Sequence, residues 1–535
     1  MKIKKILLLA LLCSLNFNYG EEGKDKYNSE KIIFENCGNT FFNDANDSHD
    51  SEKGYSLMIK LNYDELQPNQ FITEEEKNNE YNRLKKYYSN NNQEIAKKME
   101  LDKYDNVYIS KYSNYISVDA TEENINDVLL SLVDDNNVDM IYVNENIDII
   151  PNYNNAIDYV NVANYIETYN HDASGIVVGI LEPGILDQSH SNFSGCDVTV
   201  RNEWYFIESI DEHTTMMGSI IGGVNGIAKN CKLLSVQLAG NAVSEIDWLL
   251  ENNVNIINCS YGDENPTGKY TSKSAYMDYI SYTYKVTFVV SAGNTGTSNT
   301  YVANPGLSYN AITVGSCSST SGYCRNFSSY TTVEGPRKPN IVAPGYNLSI
   351  SPFSSLYNGT SFSAAITSGC VALLMKQDST LKYNPQKVSS LIMAGAQNPD
   401  SLYFGSGLDE HVGAGSLDYQ TTYENLNNTR LINFTNSITS YSLSLNFSEG
   451  EKFKAVLSSL VYSDGSVSST AFTNYDMYLY DENNNIIESQ SITEDTIELL
   501  EVEISNSGQY TLRIIRTNSI SNGTSENISV SYVIY

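Results

Sequence analysis

Between about Asn152 and Tyr423 the chain carries five short, mainly apolar runs: Ile176 to Leu181, Leu233 to Leu238, Val254 to Asn258, Val286 to Val290 and Ala311 to Val314. Helix-like stretches such as Ala242 to Glu251 and Ser272 to Thr283 separate them. A strand that is apolar on both faces has no side suited to water, so each run predicts a strand covered above and below. Alternation with helices meets that demand through a parallel sheet with helices on both faces, an α/β core. In such sheets reactive groups gather beyond the carboxyl ends of the strands.

The flanks read differently. From Tyr55, Ser-Leu-Met-Ile-Lys-Leu reads as a strand, Glu74 to Met99 as a polar helix, and Tyr108 to Val118 as a strand. Thr121 then caps a helix with Ile125, Val128, Leu129 and Leu132 at helical spacing, and Met140-Ile-Tyr-Val closes a small α+β unit over 55–150. After Asn425 period-two alternation takes over, as in Tyr441-Ser-Leu-Ser-Leu-Asn-Phe and Ile528-Ser-Val-Ser-Tyr-Val-Ile. That pattern predicts an antiparallel β-sandwich over 425–535.

Ahead of these units, Lys2, Lys4 and Lys5 precede an apolar run from Ile6 to Leu15. Its length suits the core of a signal peptide and is too short to span a bilayer. Residues 1–20 are therefore expected to direct secretion, to the medium or the cell surface, and 21–54 read as a polar, mobile leader. No later stretch reaches eighteen apolar residues, so no membrane span is expected once the signal is removed.

The 535 residues fit three or four domains, at roughly 150 residues each. A net charge of −31, with no basic cluster to offset it, argues against a nucleic-acid partner. Export permits disulfides. Cys317 and Cys324 flank the turn-rich Ser-Ser-Thr-Ser-Gly-Tyr and form the first candidate pair, a hairpin staple; Cys196 with Cys231 is the second. Cys259 and Cys370 lie in apolar runs and read as buried thiols. No CxxC or Cys/His cluster points to a metal.

Four segments at strand ends or helix starts carry chemistry. The first strand ends in Glu182-Pro-Gly-Ile, and Asp211-Glu-His213-Thr-Thr heads a small-residue helix. Val286 to Val290 runs into Ser-Ala-Gly-Asn294, and Asn358-Gly-Thr-Ser361 opens a helix that is apolar or small on every side. A carboxylate, an imidazole, an amide donor and a serine at a helix start are the parts of an acyl-transfer site. With Gly226-Ile-Ala-Lys-Asn-Cys-Lys-Leu-Leu, Ile257-Asn-Cys-Ser-Tyr-Gly262 and Ala343-Pro-Gly345 in order between them, residues 151–424 resemble the subtilisin-like serine proteases.

The resemblance implies Ser361 as nucleophile, His213 as its general base, Glu182 as the acid that orients the imidazole, and Asn294 as oxyanion donor. Ser260-Tyr261-Gly262 would pair with extended substrate. The implied activity is a secreted endopeptidase acting on polypeptides. It would need no cofactor for catalysis; structural calcium is common in the family, although no acidic loop here has a defined ligand spacing. The 55–150 unit resembles an inhibitory, ferredoxin-like prodomain, cut between about Ile147 and Ile157, and so would be an intramolecular partner of the cleft. Two departures stand out. Glu182 occupies a position where the family usually has Asp, and Phe362-Ser-Ala-Ala-Ile follows the serine where Met-Ala-Thr-Pro-His is common. The competing reading is a subtilase fold that has lost turnover and binds peptides or a surface.

Overall fold

The computed structural model describes residues 32–35, 54–63, 74–101, 107–109, 115–121, 125–132, 135–146, 152–201, 210–238, 242–351, 353, 355–398, 405–463, 470–493 and 495–535. The signal segment, most of the leader and residues 147–151 of the expected cleavage window lie outside them. The chain divides into two units, 1–150 and 151–535. No helix among the described residues is long and apolar enough to cross a membrane.

The first unit is a five-stranded mixed sheet. Its elements are β1 (Ile32–Glu35), β2 (Gly54–Leu61), α1 (Glu74–Lys98), β3 (Val107–Ile109), β4 (Tyr115–Thr121), α2 (Ile125–Leu132) and β5 (Val138–Asn146), with strand order β1-β5-β2-β4-β3. Val128, Leu129 and Leu132 of α2 bury against Ile59, Ile116 and Ile141 of the sheet. Beta strand β1 comes from the stretch whose composition reads as a mobile leader: Ile32, Ile33 and Phe34 pair in parallel with β5, as an apolar run beside an open sheet edge can.

The second unit opens with α3 (Asn152–Tyr159) and α4 (Ala163–Glu167). It continues through β6 (Val177–Glu182), β7 (Asp197–Val200), α5 (Glu212–Gly222), β8 (Lys232–Gln237), α6 (Val243–Glu251), β9 (Ile256–Cys259), α7 (Ser272–Tyr284), β10 (Thr287–Ser291), β11 (Ile312–Cys317) and β12 (Ile341–Pro344). The seven strands form one parallel sheet in the order β12-β11-β10-β9-β6-β8-β7. All five apolar runs are strands of it. A hairpin, β13 (Leu348–Ser349) with β14 (Leu356–Tyr357), leads into α8 (Thr360–Gln377), buried from Thr360 to Met375. Its neighbour α9 (Pro385–Gly395) is followed by α10 (Tyr419–Glu424).

The remaining strands are β15 (Thr429–Thr435), β16 (Ser440–Phe447), β17 (Lys452–Ser458), β18 (Tyr475–Tyr480), β19 (Ile486–Ser491), β20 (Ile497–Glu503), β21 (Gly508–Arg516) and β22 (Ser525–Ile534). They make two antiparallel sheets, β15-β22-β17-β20 and β16-β21-β18-β19, which enclose a core that includes Phe434, Phe453, Met477, Leu512 and Val530. The first sheet also rests on α9: Val456, Leu499 and Val533 join the apolar cluster of Val388, Leu391 and Ile392.

Polar bonds fix this junction. Lys454, fully buried, donates its Nζ to the carbonyls of Ala396 and Ala414. Ser390 Oγ meets Ser529 Oγ and Ser531 Oγ at 2.8 Å each. Asn310 exchanges hydrogen bonds with the Val461 backbone in both directions. Burial pushes the Lys454 ammonium down to about 8, with Glu501 opposing the fall, while the unfolded chain holds that proton to about 10.4. The penalty for charge in the fold is therefore complete below about pH 8 and relieved above it. In urea unfolding followed from pH 7 to 10, the stability of wild type relative to Lys454→Met should move in favour of wild type between about pH 8 and 10. A difference that stays flat would show that Lys454 titrates normally.

Candidate active site

Three adjacent parallel strands bring the site together. Glu182 is the last residue of β6, Ser260 follows β9, and Asn294 lies just beyond β10. His213 stands in the first turn of α5, whose N-cap Asp211 accepts from Thr214 N at 2.7 Å and from Thr214 Oγ1 at 2.8 Å. Ser361 stands in the first turn of α8. Gly345 allows the close approach before that helix: a side chain there would run into Ser363 Oγ, Ser316 Oγ and the Gly359 carbonyl.

Glu182 is completely buried. Its Oε1 accepts from Ser260 N at 2.6 Å and Asn258 Nδ2 at 3.2 Å. Its Oε2 has no hydrogen-bond partner among the described residues and lies 3.9 Å from His213 Nδ1, an ion-pair distance longer than a hydrogen bond. Burial pushes this carboxyl up to about 8, and the negative charge of Asp211 adds to the rise; the bonds from Ser260 and Asn258 pull against it. Burial also lowers the His213 imidazole from its usual value, and here the negative charge of Asp211 opposes the shift.

Ser361 Oγ donates to the Ser260 carbonyl at 3.0 Å, and Ser260 Oγ donates to the Ser361 carbonyl at 3.1 Å. Asn294 Oδ1 accepts from both Thr360 N at 2.8 Å and Thr360 Oγ1 at 3.0 Å. Because the oxygen is taken, the amide orientation is set and Nδ2 is the end left to donate. The Ser361 N–H belongs to the first turn of α8, where backbone donors have no intrahelical acceptor and the helix end carries positive potential. Beside Tyr261 and Gly262 a cavity of about 160 Å³ is lined by Leu238, Ile246, Tyr276 and Met277, with Lys273 bordering it.

The structure thus gathers Glu182, His213, Ser361, Asn294 and Ser260 in one place. Asp187, the other acid after β6, accepts from Ser189 N and Oγ and closes its own turn. Cys317 and Cys324 face each other across an isolated antiparallel bridge and are free thiols here. Sequence reasoning missed Asn258. It is fully buried within β9, donates to Glu182 and to Ser260 Oγ (2.8 Å), and accepts from Ser368 Oγ of α8 at 2.9 Å. The signal was an amide in a continuously apolar strand, which needs partners where it lies.

The model of the subtilase family matches residues 126–415. The chain belongs to that family. Pyrolysin of Pyrococcus furiosus is 28% identical over 220 residues, which are 32% of this chain and 16% of pyrolysin. Serine protease AprX of Bacillus subtilis is 26% identical over 215 residues, 33% of this chain and 48% of AprX. The chain therefore matches less than half the length of either relative. Among solved structures, the prenylagaramide maturation protease PagA aligns with a TM-score of 0.41 and 25% identity, covering 48% of this chain and 96% of that one. A serine protease of Aeromonas sobria aligns with a TM-score of 0.40 and 14% identity, covering 68% and 89%.

Asn258 should matter to the subtilase core apart from any reaction. Asn258→Ala would leave Ser368 Oγ without its acceptor and take one donor from Glu182, a loss of about 2 kcal/mol in urea unfolding. Unchanged stability would mean that these groups find other partners.

Proposed function

We propose that the chain is a secreted serine endopeptidase, made as a precursor that cuts itself free of its 55–150 unit. The observation that carries this reading is the convergence of Glu182, His213 and Ser361 with an amide donor, Asn294, whose oxygen is already occupied. Polypeptides are the substrates, and Ser260-Tyr261-Gly262 is the edge on which they would extend. The cavity beside Tyr261, lined by Leu238, Ile246, Tyr276 and Met277, suits an apolar or aromatic side chain. The 55–150 unit would occupy the cleft until cut, and the sandwich would support the core. Catalysis is assigned to side chains and backbone alone, and any calcium would be structural.

The reaction runs as follows. Rotation about the Ser361 Cα–Cβ bond moves Oγ from the Ser260 carbonyl toward His213, which takes its proton as Oγ attacks the peptide carbonyl. Asn294 Nδ2 and the Ser361 N–H receive the negative oxygen, in the manner that is worth about 3 kcal/mol per donor in subtilisin itself. His213 returns the proton to the leaving amine, and water releases the acyl group by the reverse steps. Glu182 supports the imidazolium when ionised. A second reading, a binding module without turnover, draws on the resting geometry, in which Oε2 stands 3.9 Å from the imidazole and the serine hydroxyl is turned to Ser260.

A serine-reactive phosphonate separates the two. The protease reading expects labelling at Ser361, conversion to a fragment beginning near Asn152, and loss of both in Ser361→Ala; folded protein that neither matures nor labels would overturn it. Since Glu182 is held up to about 8 and acts as the anion, kcat/KM should climb as pH rises through about 8. Glu182→Asp should lower kcat/KM on the order of tenfold or more, because a shorter acid held by Ser260 would retreat from His213. A gain in rate would instead mark the natural triad as impaired.

A further inference from the structure

The loop that carries Asn294 does not stand alone. Gly296 N donates to the Phe327 carbonyl at 2.8 Å, Ser329 N donates to the Gly293 carbonyl at 3.0 Å, and Thr295 N and Oγ1 meet Ser329 Oγ at 3.3 and 3.2 Å. Gly296 is pressed so close to this support that a side chain would run into the carbonyl oxygens of Asn326 and Ser328. Residues 293–296 therefore lie along 326–329 like a pair of short rails. What holds 326–329 in turn is the hairpin just before it. Arg325 N donates to the Ser316 carbonyl at 2.8 Å, Ser316 N donates to Ser328 Oγ at 2.9 Å, and Ser318 N donates to the Tyr323 carbonyl at 3.1 Å.

Those flanking bonds define the pair between them. With Ser318 bonded to Tyr323 and Arg325 to Ser316, Cys317 and Cys324 are directly opposed at a non-hydrogen-bonded position, where antiparallel Cα atoms approach to about 4.5 Å. Disulfides span Cα separations of roughly 4.4–6.8 Å, so the pair stands within bridging range; Cys317 Sγ now meets Ser416 Oγ at 3.6 Å and Cys324 Sγ the Arg325 carbonyl at 3.7 Å, and joining the sulfurs takes rotation about the two Cα–Cβ bonds. Cys317 is fully buried and Cys324 half-buried, and the two pack in one small cluster with Val342 and Val412.

Resting on the protease reading above, we propose that Cys317 and Cys324 close into a cross-strand disulfide that clamps the support of the oxyanion loop, so that the redox state of this pair sets how firmly Asn294 is held. A low-molecular-weight disulfide such as oxidised glutathione is the oxidant. The thiolate of Cys324 attacks one of its sulfurs and expels a glutathione thiolate; the thiolate of Cys317 then attacks the Cys324 sulfur and expels the second. The protein pair gives up two electrons and two protons, and the glutathione disulfide becomes two thiols. In the finished fold burial pushes the thiols up to about 12 and about 11, so exchange belongs to folding, in a compartment that permits it.

The full chain, folded in a glutathione redox buffer, is denatured without reductant and alkylated. Peptides carrying Cys317 and Cys324 should be joined and unalkylated, and alkylation of both would overturn the proposal. Hydrogen exchange of residues 293–296 then reads the clamp without reference to catalysis. Exchange at Thr295 and Gly296 should quicken several-fold when the protein is reduced, and Cys324→Ser should exchange at the reduced rate with or without reductant. Equal exchange in the oxidised and reduced protein would overturn the clamp. Phosphonate labelling of Ser361 should slow on the order of tenfold on reduction, a fraction of what losing an oxyanion donor outright costs. If no labelling occurs in either state, the protease reading fails while the exchange result still decides the clamp.

Discussion

One residue at the end of β9 governs the geometry of the site. The Ser260 N–H holds the buried carboxylate of Glu182, and its carbonyl receives the hydroxyl of Ser361. Both ends of the proposed proton path are thus referenced to the backbone of a single residue. Strand β9 sits between β6 and β10 in a seven-stranded parallel sheet, so Glu182, Ser260 and the oxyanion loop are spaced by the sheet itself. Asn258, one turn of the pleat earlier, ties the same point to Ser368 in α8. The position of the central helix relative to the sheet is therefore set by side-chain hydrogen bonds as well as by packing. Closed polar networks of this kind favour one arrangement over its near neighbours.

Much of this was legible in the sequence, and for a physical reason. Continuous apolar runs leave few choices of architecture, and the acid, imidazole, amide and serine all fall at strand ends or helix starts, the places such a sheet offers to reactive groups. The internal support was harder to read. Asn258 announces only that it needs partners; that they are Glu182, Ser260 and Ser368 depends on residues up to 110 positions away. The pairing of Ile32 to Phe34 with β5 was likewise hidden by the polar composition around it.

The sandwich shows where a pattern misleads. In β17, Lys-Phe-Lys-Ala-Val-Leu-Ser, alternation assigns Lys454 to a wet face, yet it is fully buried. Period two tells which residues share a side of a sheet, and it does not tell what covers that side. Here α9 covers it. The short hydroxyls Ser529 and Ser531 on β22 and Ser390 on α9 satisfy one another across the contact, and Lys454 reaches carbonyls on either side of the 397–413 segment. A junction built of directional bonds fixes the angle between sheet and helix more tightly than apolar contact alone, and it joins the sandwich to the peptidase core as one unit.

The departure at Glu182 has a local companion. Pro183 follows it, and proline has no N–H. An acid at the end of β6 therefore cannot accept a hydrogen bond from the next residue of its own strand, and the backbone donor that Glu182 meets is across the sheet at Ser260. Meeting that donor while staying on the side of His213 takes length. Glutamate has one methylene more than aspartate, and Oε1 makes the contact at 2.6 Å while Oε2 stays on the side of His213. The longer acid and the missing donor answer each other: the side chain that spans to β9 is the one that a proline at the following position calls for.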